Sequence, residues 1–330
     1  VFDHTGGVVL GVAVQNVSGQ AATIPVVIRD DTGTVISAPG TTLSLIPDGH
    51  TSFVLSSQYP FTANKRGTIE FGTPSGGRIS VLGIRTTPLG NSLTLTTIPA
   101  MANVGTTGGS ISHIASANGW KTTFVLVNAG ANSGQAHLKF FANNGTPLSL
   151  PLTFPQSGGG TSSVATTLDH TLAAGATLIV ESTGPDTDPL LTGSAQLTTD
   201  GSISGFVIFR YNPNGQEAVV PLENRTAGGY LLAFDNTAGI VTGVAVSSAS
   251  ALATTVQVVI RDDAGTLIGN GSIDLPANGH TAFGLATQFP VTANIRGTVE
   301  FGTPAGGSIA ALGIRTPPTL TFTTLPSLTK

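Results

Sequence analysis

The stretch that decides the fold is TANKRGTIEFGTPSGG at residues 62–77, because it returns as TANIRGTVEFGTPAGG at residues 292–307. Residues 68–71, Thr-Ile-Glu-Phe, alternate polar and apolar side chains, which is typical of a β-strand with one buried face. The Pro-Ser-Gly-Gly that follows is turn chemistry. A strand that ends in a tight turn and recurs far along the chain indicates a tandem β-sheet protein.

The repeat extends in both directions from this stretch. Upstream, VVIRDD at residues 26–31 returns at 258–263, and downstream LGIRT at 82–86 returns at 312–316. Between these copies FFANNGT at residues 140–146 takes the place of the Ile-Arg-Asp-Asp turn, which indicates a third, diverged unit. We therefore predict three modules, of which the first and third are closely similar: repeat 1 at residues 1–105, repeat 2 at residues 106–226 and repeat 3 at residues 227–330.

Each repeat is predicted to be all-β. Short apolar and β-branched runs, such as VVLGVAV at residues 8–14 and TFVLV at residues 123–127, are bounded by Asn, Gly and Ser. Seven or eight such strands in about 100 residues are typical of a β-sandwich, and no helical stretch stands out. We predict three tandem immunoglobulin-like β-sandwich modules, with a jelly-roll strand order as the alternative.

The amino-acid composition excludes several classes of protein. Charged residues make up 9% of the chain and the net charge is −4, so a basic surface that could follow nucleic acid is not expected. Cysteine is absent, which excludes thiolate catalysis and cysteine-ligated metal sites. No apolar run approaches the roughly 20 residues that a membrane span needs. We expect neither a nucleic-acid partner nor a membrane span.

Candidate catalytic residues are few. His50 and His280 recur directly after a turn glycine, whereas our alignment places Ala176 at that position of repeat 2. This difference favours a hydrogen bond to a neighbouring loop over a ligand or general-base role. Asp169-His170 resembles half of a catalytic triad, but no Gly-x-Ser-x-Gly motif supplies its nucleophile. We predict that the chain is not an enzyme and has no catalytic residues.

Binding sites for ions or sugars are also not expected. The pairs Asp30-Asp31 and Asp262-Asp263 offer too few oxygens for Ca²⁺, so an Asx-type turn is favoured over a metal site. The lone Trp120 is interpreted as core packing rather than as a sugar-stacking platform. Neither a metal nor a cofactor is predicted. Six of the nine arginines recur in register and predict structural ion pairs: Arg29, Arg66, Arg85, Arg261, Arg296 and Arg315.

A family resemblance rests on two segments of repeat 2. NGWKTTFVLVN at residues 118–128 and FFANNGTPL at residues 140–148 resemble repeats in secreted proteins of environmental bacteria. Those proteins are tandem immunoglobulin-like β-sandwich modules with no clear enzymatic role. The resemblance implies an extracellular or cell-surface protein with a structural or adhesive role, and it carries over no functional residues.

The repeat register also predicts assembly. Val1-Phe2 aligns with Ala233-Phe234, so repeat 1 is expected to lack its leading edge segment, and an open sheet edge invites another strand. We predict head-to-tail self-association into a filament rather than a closed dimer. Its predicted contact residues are Val1, Phe2, Phe322 and Leu325. The alternatives are an adhesin that binds a glycan or a surface, and an accessory fragment of a secreted enzyme.

Overall fold

The computed structural model describes residues 1–330 except 91, 102–107, 159–161 and 320. This part of the chain is all-β, as predicted, with six antiparallel sheets. Short helical turns that we did not predict interrupt the strands: α1 (Leu55–Gln58), α2 (Leu285–Gln288) and three 3₁₀ turns at Pro60–Thr62, Pro155–Ser157 and Pro290–Thr292. Each 3₁₀ turn begins at a proline, whose fixed φ suits a first helical position.

Repeat 1 contributes eight strands to two four-stranded sheets, ordered β1-β6-β3-β4 and β5-β2-β7-β8. The strands are β1 (Phe2–Asp3), β2 (Val9–Asn16), β3 (Ala22–Asp30), β4 (Thr42–Leu45), β5 (His50–Val54), β6 (Arg66–Phe71), β7 (Ile79–Leu89) and β8 (Ser92–Ile98).

Repeat 2 contributes ten strands, ordered β14-β11-β16-β9 and β13-β12-β15-β10-β17-β18. The strands are β9 (Gly109–Ser116), β10 (Trp120–Asn128), β11 (Gly134–Ala142), β12 (Leu150–Thr153), β13 (Ser162–Ala165), β14 (Thr167–Leu172), β15 (Thr177–Thr183), β16 (Leu191–Thr199), β17 (Ile203–Tyr211) and β18 (Gln216–Pro221).

Repeat 3 contributes nine strands, ordered β22-β21-β24-β19-β27 and β23-β20-β25-β26. The strands are β19 (Gly229–Asp235), β20 (Val241–Ser248), β21 (Thr254–Asp262), β22 (Leu267–Leu275), β23 (His280–Gly284), β24 (Arg296–Gly302), β25 (Ile309–Thr316), β26 (Thr323–Leu325) and β27 (Leu328–Thr329).

The same pairings recur along the chain. β2 pairs with β5 and β7, as β10 pairs with β15 and β17, and β20 with β23 and β25. The first strand of each repeat, β1, β9 or β19, joins the other sheet by pairing with β6, β16 or β24. In immunoglobulin domains the first strand instead shares a sheet with the second. The strand order therefore departs from the immunoglobulin order at this first strand. It departs again after β6, β16 and β24, because the next strand, β7, β17 or β25, lies in the other sheet, whereas strands F and G of an immunoglobulin domain share a sheet.

Alternating burial along the strands explains how each repeat forms a core. In β2 and β3 every second residue is buried, and side chains such as Leu10 and Val14 from β2 join Ile24 and Ile28 from β3 in one hydrophobic cluster. Burying each such side chain stabilises the fold by about 1.5–3 kcal/mol. Similar clusters lie within repeats 2 and 3.

Candidate functional site

The most distinctive surface of the molecule is the interface between successive repeats, where a sheet is buried on both faces. Phe124 and Leu126 of β10 join the hydrophobic cluster of repeat 2. Val125, between them, faces the other way and joins the cluster of repeat 1 together with Phe206, its partner in β17. This burial on two sides accounts for the continuous apolar runs in β10 and β17, which a one-sided sheet would not need.

Repeat 3 packs on repeat 2 through the corresponding face. The register position held by Val125 and Phe206 in repeat 2 is held in repeat 3 by Ala245 of β20 and Leu312 of β25, which also pair. Both residues join the hydrophobic cluster of repeat 2. In both cases, therefore, the outer face of a second sheet covers the preceding repeat.

A backbone hydrogen bond recurs at both interfaces. The N–H of Thr177 donates to the carbonyl of Asp31 at 3.0 Å, and the N–H of His280 donates to the carbonyl of Asn143 at 3.1 Å. Thr177 and His280 begin the corresponding strands β15 and β23. Asp31 and Asn143 follow the corresponding strands β3 and β11 in the same turn. The two interfaces thus share one geometry.

The turn glycines bring the backbones of neighbouring repeats into close contact. A Cβ on Gly33 would lie 2.2 Å from the carbonyl oxygen of Ala174, and a Cβ on Gly145 would lie 1.8 Å from that of Ala277. Both glycines also have positive φ, +91° and +79°, which residues with a Cβ adopt at a cost. Glycine at this turn is therefore required by the contact between repeats as well as by the turn.

A buried carboxylate joins repeats 1 and 2. Glu217 is 3% exposed, and its Oε2 accepts hydrogen bonds from Arg85 Nε at 3.1 Å and Thr87 Oγ1 at 3.2 Å. Its Oε1 accepts from Arg210 Nη1 at 2.9 Å. Two cations and a hydroxyl compensate the cost of removing this charge from water, so the group fixes how the two repeats meet.

A histidine pair occupies the interface of repeats 2 and 3. His280 Nδ1 lies 2.8 Å from Asn143 Oδ1, and His280 Nε2 lies 2.9 Å from His113 Nδ1. Because the Asn143 oxygen accepts, His280 donates from Nδ1 and accepts at Nε2, so His113 donates from Nδ1. Burial lowers the pKa of His113 to about 4. Burial, and then the charge of His113, lower the pKa of His280 to about 3. Both rings are neutral at pH 7.

An aromatic contact also joins repeats 2 and 3. Trp120 stacks on Phe322 with ring centroids 5.5 Å apart, and its centroid lies 4.9 Å from that of Tyr211. Trp120 also packs against the cluster of repeat 2. The prediction that Trp120 serves packing is confirmed, and part of this packing is with the next repeat.

The predicted assembly residues lie mostly in contacts within the chain. Phe2 is buried and pairs with Gly67 of β6. Val1 packs on the cluster that repeats 1 and 2 share. Phe322 lies against Trp120. Leu325 pairs with Gly313 in the repeat 3 sheet and is half-buried.

The first strand of repeat 1 is paired over a shorter length than the first strand of repeat 3. β1 pairs with Arg66 and Gly67 of β6, whereas β19 pairs along all of β24.

The acidic turns and several arginines match their structural interpretation. Asp30 Oδ1 accepts the N–H groups of Thr32 and Thr34, each at 3.0 Å, which confirms the Asx-type turn. Ion pairs join Arg66 to Asp3 and Arg296 to Asp235, and Arg85 pairs with Glu217. For the other three arginines the prediction was wrong. Arg29 and Arg261 donate to the turn carbonyls of Gly33 and Gly265 instead, and among the described residues Arg315 has no ion-pair partner.

The structure places the Asp169-His170 pair and the acidic residues considered as metal ligands as follows. Asp169 pairs with His137 of the neighbouring strand, not with His170. Within the described ranges, no three His, Asp or Glu side chains are grouped so that they could hold a metal ion. The same ranges contain no helix of the length and apolarity needed to cross a membrane.

One alignment in our sequence reasoning was wrong by a residue. Val127 pairs with Thr177, as Gln15 pairs with His50 and Ser247 with His280. Thr177, not Ala176, therefore occupies the position of the two histidines.

Sequence reasoning also missed the interface between repeats. Its signal was present in LGIRT at residues 82–86, where the residues facing away from the core are Leu and Ile.

No family model and no curated protein matches this chain. Its functional assignment therefore rests on the geometry of the interface between repeats.

Proposed function

We propose that this chain is a non-catalytic structural protein of the bacterial cell exterior, built of three tandem immunoglobulin-like β-sandwich modules, that assembles into a surface filament. One observation carries the proposal: the contact between repeats 1 and 2 recurs between repeats 2 and 3, with the same backbone hydrogen bond and the same glycine approach. A head-to-tail contact that recurs without closing can continue from one molecule to the next.

The composition supports association between copies. With 9% charged residues and a net charge of −4, the surface generates little of the electrostatic repulsion that keeps most proteins apart. Several large apolar side chains of repeat 1 are exposed, among them Leu93 and Leu95 of β8. Such side chains favour a protein surface as their neighbour over water.

The test is the size of the purified chain as its concentration rises. Sedimentation velocity is expected to show species that lengthen with concentration, and electron microscopy is expected to show unbranched filaments. A single species at 33.1 kDa over the whole concentration range would contradict the proposal. Antibody labelling of intact cells tests the location separately, because a surface filament is labelled without permeabilisation.

A further inference from the structure

Repeat 1 exposes the sheet face that repeats 2 and 3 bury. Leu82 is 42% exposed, whereas its counterparts Phe206 and Leu312 are 2% and 4% exposed. The residues are the same as in repeat 3, because Leu82 pairs with Ala13 as Leu312 pairs with Ala245. A face built like two covered interfaces is therefore uncovered at this end of the molecule. Its residues Leu82 and Ile84, with the turn at residues 47–50, are called the front surface below.

The turn of the front surface corresponds to a turn that makes contact in the other repeats. His50 begins β5 as Thr177 begins β15 and His280 begins β23. Thr177 and His280 are both buried against the preceding repeat, whereas His50 is exposed. The residue two positions earlier has positive φ in all three turns: Asp48, Gly175 and Asn278. The turn is thus already in its contact conformation in repeat 1.

Repeat 3 carries the complementary turn at the opposite end, formed by Arg261, Asp263 and Gly265, which is called the back surface below. Arg261 Nη1 donates to the carbonyl of Gly265 at 3.4 Å, as Arg29 Nη1 donates to that of Gly33 at 3.5 Å. Gly265 has φ +82° and, among the described residues, no atom lies within 4 Å of a Cβ built on it. The equivalent glycines of repeats 1 and 2, Gly33 and Gly145, contact the next repeat, whereas Gly265 is accessible to a further partner.

Charge complementarity indicates which partner fits. At the interface of repeats 1 and 2, a Cβ on Gly175 would lie 2.6 Å from Arg29 Cδ and 3.0 Å from Arg29 Nε. The residue that corresponds to Gly175 on the front surface is Asp48, and the residue that corresponds to Arg29 on the back surface is Arg261. The same contact between two copies would place a carboxylate beside a guanidinium.

We propose that the back surface of one copy binds the front surface of a second copy, with the geometry that joins the repeats within the chain. The carbonyl of Asp263 accepts the N–H of His50, Gly265 lies against the carbonyl of Pro47, and Arg261 lies beside Asp48. The outer face at Leu82 and Ile84 covers the end of repeat 3. This inference rests on the proposed filament and names the two surfaces that form its contact.

Because the chain has no cysteine, disulfide trapping can test this contact at a single pair of positions. The variants His50→Cys and Asp263→Cys are prepared separately, mixed and mildly oxidised. A disulfide joins residues whose Cα atoms lie about 4.4–6.8 Å apart, a separation that two residues joined by a backbone hydrogen bond can reach. We expect one major product, a disulfide-linked dimer containing one chain of each variant. The variant that carries both cysteines is expected to give a ladder of oligomers.

Two controls accompany the trapping experiment. Asp31→Cys combined with Thr177→Cys reproduces the contact inside one chain and should form a disulfide without a change in mass. Ser75→Cys, on an exposed turn of repeat 1, should not cross-link to Asp263→Cys. The variant Leu82→Glu/Ile84→Glu, combined with His50→Cys, should reduce the dimer yield at least tenfold, while circular dichroism shows that its fold is retained.

The outcomes separate this inference from the proposed function. Filaments of the unmodified chain with no His50–Asp263 cross-link would overturn the inference, because another surface would then join the copies. A cross-link in a chain that remains otherwise monomeric supports the docking geometry and contradicts the filament. Equal cross-linking of Asp263→Cys to the His50 and Ser75 variants would show random collision and would also overturn the inference.

Discussion

At the scale of single residues, polar groups at the two interfaces determine how the repeats align. Glu217 is held by two arginines that come from different repeats, and His113 and His280 come from repeats 2 and 3. Apolar surfaces can pack in several relative positions, whereas a buried polar group that is left without its hydrogen-bond partner destabilises the fold. These groups therefore specify one arrangement of the repeats.

Replacing Glu217 by Gln should destabilise the chain strongly. The amide keeps the shape but leaves Arg85 and Arg210 without their carboxylate, and removing one partner of a buried ion pair costs about 3 kcal/mol or more. Urea unfolding measures this loss as a lower midpoint. The matched control is Glu300→Gln, whose ion pair with Lys330 is more exposed and should cost less than about 1 kcal/mol. Equal effects in the two variants would contradict the role assigned to Glu217.

The histidine pair should make the chain sensitive to acid. His113 stays neutral in the fold because its pKa is lowered from 6.5 to about 4, so the unfolded chain binds a proton that the folded chain excludes. The free energy of unfolding is therefore highest above pH 6.5. It falls by about 3 kcal/mol for this group as the pH decreases to 4. Thermal or urea unfolding between pH 7 and 4 measures the slope.

A matched variant tests the source of that slope. The residue before Phe2 in repeat 1 corresponds to His113, because Phe2 pairs with Gly67 as Ile114 pairs with Gly193. His113→Val with His280→Thr therefore installs the residues found at these positions where repeats 1 and 2 meet, Val1 and Thr177. This variant should flatten the pH dependence, whereas His170→Thr, at an exposed position of β14, should leave it unchanged. An unaltered slope in the double variant would show that other groups cause the acid sensitivity.

At the scale of elements, the turn after the third strand of repeats 1 and 2 contacts the following repeat. Its Asx geometry was predictable, because Asp30 and Asp262 stand where a carboxylate can accept the N–H groups of the turn. The contact that the turn makes with the next repeat was not predictable, because nothing local distinguishes Gly145 from Gly265. Both have positive φ, and what differs is the neighbouring backbone.

Replacing Gly265 and Gly145 by alanine in turn distinguishes the cost of the strained turn from the cost of disturbing the contact between repeats. Gly265→Ala should cost about 1 kcal/mol, the usual cost of the left-handed conformation for a residue with a Cβ. Gly145→Ala should cost about 2 kcal/mol more, because its methyl group would overlap the Ala277 carbonyl and separate repeats 2 and 3. Denaturant unfolding in dilute solution compares the two, and equal costs would contradict the interface.

Other elements show where sequence reasoning succeeds and fails. The alternation in residues 68–71 correctly predicted the strand β6, in which Ile69 and Phe71 pack against the core and Glu70 is exposed. The helical turn α1 was missed because a four-residue turn has no amphipathic period, and it is held by the buried Leu55. The contact surface was missed because the outward residues Leu82 and Leu312 are identical, yet only Leu312 is covered by a neighbouring repeat.

At the scale of the whole molecule, a repeated operation relates repeat 1 to repeat 2 and repeat 2 to repeat 3. Repeat 1 exposes the face that covers the preceding repeat elsewhere, and repeat 3 exposes the turn that contacts the following repeat elsewhere. We propose that such an array is extended by adding copies, so that its length is limited by concentration rather than by symmetry.

Helical reconstruction of the filaments by electron cryomicroscopy tests that claim most directly. We predict that the contact between copies superimposes on the contact between repeats 2 and 3, so that the repeats follow one another at even spacing across the boundary between chains. The Asp263 turn should lie against the His50 turn at each boundary. Filaments joined through another face, or a spacing at the boundary that differs from the spacing within the chain, would contradict the account.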